Sequence, residues 1–149
     1  MSIQADAQAQ VIAAMKSHDD KRRDALRLIV NALKTVSKEK LHDLSSDEEI
    51  AVLMREAKKR REAIEDYNKV GAADRAEKEA FELEIIQGFL PKQLSADEVR
   101  DMIKSLASEL NITSKKDVGK LMKALMPKIK GVFPGNEAKK LVDALELAD

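Results

Sequence analysis

Residues able to act on a ligand are few in this 149-residue chain, and the most suggestive lie toward its C-terminal end. Gly119-Lys120 has the look of a phosphate loop, where backbone amides and a lysine meet the phosphates of a nucleotide. Such a loop needs a glycine five residues before the second glycine, and Ser or Thr after the lysine. Ser114 and Leu121 hold those places, so the loop is absent. Gly119 still needs a reason, because a glycine inside a helix costs about 1 kcal/mol relative to alanine. Close helix packing is the ordinary reason; close approach of a backbone or a phosphate is the other.

Around that glycine lies the one strongly single-signed stretch. Residues 114–130 hold Lys115, Lys116, Lys120, Lys123, Lys128 and Lys130 against Asp117 alone, a net charge of +5. Lys116, Lys120 and Lys123 fall at i, i+4 and i+7, which sets them on one helical face opposite an apolar stripe. A polyanion finds such a face by Coulomb attraction and by releasing condensed counterions. The plainer reading is an ordinary solvated lysine face, and both stand at this point. Phe133, between Gly131 and Gly135, either stacks on a base or, more commonly, packs onto a small core. The candidate nucleic-acid-binding set is therefore Lys115, Lys116, Gly119, Lys120, Lys123, Lys128 and Lys130.

Other chemistries fall away. The chain has no cysteine, hence no disulfide framework, thiolate nucleophile or cysteine zinc site. His18 and His42 are the only histidines and lie 24 residues apart, so no imidazole-rich metal cluster is expected. Glu77, Glu79, Glu82 and Glu84 read as a solvated helix face, with nothing apolar around them to split their pKa values. The basic run Arg55-Glu56-Ala57-Lys58-Lys59-Arg60-Arg61-Glu62 is either a patch for nucleic acid or, the favoured reading, another solvated face, because Glu56–Arg60, Lys58–Glu62 and Arg61–Glu65 are i,i+4 pairs. No serine has a candidate base near it in pattern. No catalytic constellation, cofactor or metal is expected.

The elements that must position the lysines are helical. Five glycines and three prolines leave too few turns for a sheet-rich fold. With aromatics at only 3% of residues, the core must be built from Leu, Ile, Val, Met and Ala. An all-α chain is expected, with four helices before Pro91 and three short ones after it. The first runs over residues 5–17, with Ala9, Ile12, Ala13 and the stem of Lys16 on one face. The second, over 21–41, turns Leu26, Ile29, Val30, Leu33 and Val36 to the core. Ser46-Asp47-Glu48-Glu49 reads as a capping box opening a third helix that Gly71 stops, with Ile50, Leu53, Met54, Ala57, Ile64 and Tyr67 as its stripe. A fourth spans 73–90 with Phe81, Ile85, Ile86 and Phe89, and Pro91 ends it. Ser95-Ala96-Asp97-Glu98 is a second box, and Ser114-Lys115-Lys116-Asp117 resembles a third. A helix carrying Leu121 and Leu125 meets Pro127, and a last helix carries Ala138, Leu141, Val142 and Leu145.

The expected division is an N-terminal helical domain, 1–91, and a three-helix tail domain, 92–149, with 89–94 as the hinge. Charge divides there too: residues 1–90 carry 16 Lys+Arg and 18 Asp+Glu, whereas 91–149 carry 11 and 9. No apolar run approaches the roughly 18 residues that span a bilayer, and the N-terminus has no basic-then-apolar signal, so a cytoplasmic protein is expected.

Several of these residues fit one bacterial pattern in order. They are Leu26-Arg27-Leu28-Ile29, the helix around Arg55 and Glu65 with Tyr67 and Gly71, and Ala76-Glu77-Lys78-Glu79 with Glu82-Leu83. Phe89-Leu90-Pro91-Lys92-Gln93-Leu94-Ser95, Asp117-Val118-Gly119-Lys120-Leu121-Met122, Met126-Pro127 and Gly131 continue it. The chain resembles the GatB/YqeY family over nearly its whole length. That resemblance implies an N-terminal helical domain and a tail similar to the C-terminal domain of the B subunit of glutamine-dependent tRNA amidotransferase. In that enzyme, which amidates Glu or Asp misacylated on tRNA, the tail contacts tRNA. The implied partner is tRNA and the implied role an accessory one, with carbon–nitrogen ligase activity attached only by association. Neither an ammonia-releasing nucleophile nor an ATP site is visible here. Another protein, held by the N-terminal helices, is the alternative partner; a membrane or a metal is not expected. Two departures stand out: Gly71-Ala72, where the family often has arginine after the glycine, and Val132-Phe133-Pro134-Gly135 in place of a charged turn. If that turn contacts RNA in relatives, the contact is not implied here.

Overall fold

A computed structural model describes residues 2–147 of the chain. Those residues form seven α-helices and one 3-10 turn, with no strand among them, so the fold is all-α. The chain separates into two compact units, Met1–Leu90 and Pro91–Asp149.

In the first unit α1 (Ile3–Lys16) packs along α2 (Asp20–Lys40), and α3 (Ser46–Lys69) along α4 (Ala73–Gln87). The α1–α2 turn passes through His18 at φ 58°, and the Asp19 carboxylate then accepts the Arg22 amide at 3.1 Å to start α2. The α3–α4 turn uses Gly71 at φ +73°, the left-handed conformation that glycine adopts without a Cβ penalty. Leu26, Leu33, Leu53 and Ile86 lie fully buried at the centre of the unit. The helix α4 stops at Gln87, three residues short of the expected end, and Phe89 and Leu90 fold back onto the core through a turn.

Two expectations fail at α1 and α3 for one reason. Ser45, not Ser46, caps α3: its hydroxyl accepts the Glu48 amide at 3.2 Å, and the Glu48 carboxylate takes the Ser45 amide at 3.0 Å. Glu49, expected to complete the box, is instead 3% exposed and accepts the amides of Ile3 at 3.1 Å and Gln4 at 2.8 Å. A carboxylate there answers two of the orphan donors and the positive end of the α1 dipole. Anchored so, α1 turns Ala7, Val11 and Ala14 inward. Ala9, Ile12, Ala13 and Lys16, the expected core face, point to solvent.

The acidic face of α4 is also not simply solvated. Arg60 on α3 reaches Glu56 at 2.7 Å, Glu82 at 3.2 Å and Glu79 at 3.6 Å, and Glu82 is buried. Glu77 and Glu84 remain exposed, as expected. Antiparallel pairing of α3 with α4 is what brings residues about twenty positions apart together, which periodicity along one helix does not reveal. Burial first, and then the neighbouring Glu82 carboxylate, push the Glu79 carboxyl above its ordinary value, against the pull of Arg60 and Lys78. At the start of α3, Lys40 and then the Ser45 amide hold the Glu48 carboxyl down at about 2.

In the second unit α5 (Ala96–Glu109), α6 (Val118–Ile129) and α7 (Gly135–Asp143) close over Val99, Ile103, Leu121, Leu125, Ile129 and Val142. The Ser95 box forms as expected, with reciprocal bonds of 3.1 and 3.2 Å to Glu98. Pro127 lies within α6, which ends two residues later.

Two measurements test this account. Glu49→Ala leaves the first amides of α1 without their acceptor and should cost about 2 kcal/mol in denaturant unfolding, and Glu49→Gln less. The folded chain holds the Glu79 proton more tightly than the unfolded chain does, so the stability linked to it is greatest in acid and lost as pH rises through the raised value. Glu79→Gln removes that loss. Its stability relative to wild type should therefore improve from acid to neutral pH, and a pH-independent difference would contradict the assignment.

Candidate nucleic-acid interface

The lysine-rich stretch begins where Ile112, buried in the tail core, ties its amide to Ala107 O at 2.8 Å. Six residues later Val118 packs on the same core. The span between closes as a 3-10 turn, Lys115–Asp117, which runs directly into α6. No α-helix opens at Ser114, and neither Ser114 nor Asp117 makes a side-chain capping bond, so the expected third box is absent. A 3-10 residue advances about 120° rather than 100°, so Lys116 leaves the register it would keep in a continuous α-helix.

All six lysines are exposed. Lys120 and Lys123 lie on the outward side of α6, opposite Leu121, Leu125 and Ile129, with Gly119 beside them. Lys115 and Lys116 stand at the entrance to the helix, in the turn. Lys128 and Lys130 mark its far end, about 12 Å along the axis from Lys120. Most of the charge is thus gathered at the N-terminal end of α6, and Lys128 lies about 80° around the helix from Lys120. The Lys120 ammonium is 3.8 Å from Asp117, but its side chain is 76% exposed, and a pair so open is worth little.

Gly119 is not explained by packing, contrary to the expectation. A Cβ built there meets nothing within 4 Å, and its backbone is outside the left-handed region. An exposed glycine in the first turn of a helix leaves the backbone there open to approach. Phe133 takes the commoner of its two fates: it is 6% exposed and packed into the tail core, with its amide bonded to Ile129 O at 3.0 Å. It does not present a ring for stacking.

The departing turn is likewise internal. Gly131 O accepts Gln93 Nε2 at 2.9 Å, Val132 O accepts the Leu94 amide at 2.8 Å, and the same Gln93 amide reaches Pro91 O at 2.8 Å. Gln93 therefore staples the start of the tail to the α6–α7 loop. Nothing in its neighbourhood along the chain announces a bond to a residue 38 positions away.

Elsewhere, a concavity of about 460 Å³ is lined by Gln4, Gln8, Lys34, Asp43 and Glu49. Its one buried carboxylate, Glu49, is the acceptor of the Ile3 and Gln4 amides described above. Among the described residues no group of three or more His, Asp or Glu is arranged to hold a metal ion. No helix there is long and apolar enough to cross a membrane.

These features define an all-helical protein in which a four-helix unit precedes a three-helix tail with a lysine strip. The model of the Yqey-like protein family matches residues 4–145, and the chain belongs to that family. No curated protein sequence matches it.

Because nothing crowds Gly119, Gly119→Ala should stabilise the fold by about 0.4–1 kcal/mol through helix propensity and a less flexible unfolded chain. A loss of stability in thermal or urea unfolding would mean that an internal contact requires the glycine.

Proposed function

We propose that this protein is a tRNA-binding accessory module associated with glutamine-dependent tRNA amidotransfer, acting through the lysine strip of its tail and carrying no active site of its own. The observation that carries the reading is the strip itself. Six exposed lysines run along one turn and one helix with Asp117 as the acidic residue among them, and an open glycine sits at the densest point. Family membership supports it through the resemblance of this tail to the amidotransferase B-subunit tail. Phosphates engage the ammoniums of Lys115, Lys116, Lys120 and Lys123, and Gly119, with no side chain, lets the strand approach the helix surface closely. Lys128 and Lys130 extend the track. Such contacts position a nucleic acid without reading its bases, so selectivity for tRNA rests on shape.

The test is binding of the full chain to bulk tRNA and to duplex DNA over a salt series. Log affinity for tRNA should fall linearly with log salt, by about 0.7–0.9 per phosphate contact, giving a slope near 3 for four lysines. Replacing Lys115, Lys116, Lys120 and Lys123 with glutamate should abolish tRNA binding while the circular-dichroism spectrum stays helical. Gly119→Ala should weaken it despite a more stable fold. Equal weak binding to both nucleic acids would reduce the strip to a generic basic face. Unchanged binding by the four-lysine variant would refute the assignment.

A further inference from the structure

In a chain that is 36% charged, the 14 residues of α1 carry two charges, Asp6 in the first turn and Lys16 in the last. Its outward side consists of Ala5, Gln8, Ala9, Ile12, Ala13 and Lys16, all exposed. Ile12 is 47% exposed at the middle of that face; Met15 on its flank is 48% exposed, with the Arg27 guanidinium of α2 3.6 Å from its sulfur at the border. A helix facing water ordinarily turns charged residues outward, as the Lys/Glu-rich outer faces of α2 and α3 do here. The outer face of α1 is the reverse: nearly uncharged, small-residued, with one large apolar side chain at its centre.

An uncharged face strips charged groups of water when it is covered by one, so it pairs best with another uncharged face. Among the described helices α1 itself best meets that requirement. Its two charges add a direction, being of opposite sign at opposite ends. In an antiparallel pair of copies each Lys16 comes beside the Asp6 of the other copy, twice over by symmetry; a parallel pair would set like charges together. The same register opposes Ile12 to Ala9, large against small, as helix packing favours.

We propose that the outer face of α1 is a dimer contact, in which a second copy of this chain lays its own α1 antiparallel across it about a two-fold axis between Ala9 and Ile12. A 14-residue helix is about 21 Å long. A contact of that length buries less than the roughly 1,000 Å² of a permanent interface, so the dimer is weak and forms with rising concentration. The contact uses none of the lysines assigned to tRNA, and it stands or falls independently of that reading.

Sedimentation equilibrium of the full chain, from low micromolar to near-millimolar concentration, reads it directly. The weight-average mass should rise from monomer toward dimer. Ile12→Glu should weaken association by about tenfold or more at unchanged helicity. Should that variant lose helicity, Ala9→Arg tests the same centre from an exposed position. Asp6→Lys and Lys16→Glu should each weaken the dimer, and the double exchange should restore it. Overturning results are a monomer at every concentration, a dimer indifferent to Ile12→Glu and Ala9→Arg, or a double exchange no better than either single one.

Discussion

The carboxylate of Glu49 constrains the N-terminal unit more than any other single group described. Sunk to 3% exposure, it is satisfied by the amides of Ile3 and Gln4 and by the helix dipole behind them. That pairing acts together with the Ser2 hydroxyl, which caps α1 by accepting the Ala5 amide at 3.1 Å, and it orients which side of α1 faces α2. Were α1 rotated to bury Ile12, Ala7 and Val11 would leave the core, and the carboxylate would lose its donors. The same constraint moves the α3 cap back one residue, because Glu49 cannot both complete a box with Ser46 and cross to α1. One buried charge thus settles a cap, a helix rotation and the identity of an exposed face.

The two units treat charge in opposite ways. In the first, part of the charge is paired internally: Arg60 holds Glu56 on its own helix and Glu79 and Glu82 across the α3–α4 seam, and Lys40 holds Glu48 across the α2–α3 turn. In the tail the core is wholly apolar, and the lysines of the turn and α6 stay outside it. The two units also differ in the sign of their balance: residues 1–90 carry 16 Lys+Arg against 18 Asp+Glu, and 91–149 carry 11 against 9, with six of the lysines gathered in residues 114–130.

What could be read from the chain divides along the same physical line. Helix content, the Ser95 cap, the core residues of α2 and the inward fate of Phe133 depend on local pattern, and all were legible. The Ser45 and Ser46 caps are indistinguishable locally, since Ser45-x-x-Glu48 and Ser46-x-x-Glu49 satisfy one rule equally; a contact to residues 3 and 4 decides between them. The faces of α1 are ambiguous because alanines populate both sides and patterning gives them little weight. Glu79 and Glu82 look solvated until α3 is laid beside α4. Of the candidate interface, the lysines and their exposure were legible. Their arrangement was not, because a 3-10 turn replaced the expected helix start and took Lys116 out of register. Gly119 looked like a packing glycine only while its neighbours were unknown.

The staple between Gln93 and the α6–α7 loop bears on how this loop can drift in evolution. Gln93 and Leu94 grip the carbonyls of Gly131 and Val132, groups that every residue supplies. The grip itself therefore asks nothing of the side chains at 131 and 132 beyond the left-handed bend at Gly131, which glycine adopts without a Cβ penalty. Phe133 is held differently, by its place in the tail core, so a charged turn could replace Val132-Phe133-Pro134-Gly135 only where that core is refilled from elsewhere. Change in this loop is free where only a carbonyl is used and costly where a side chain is buried.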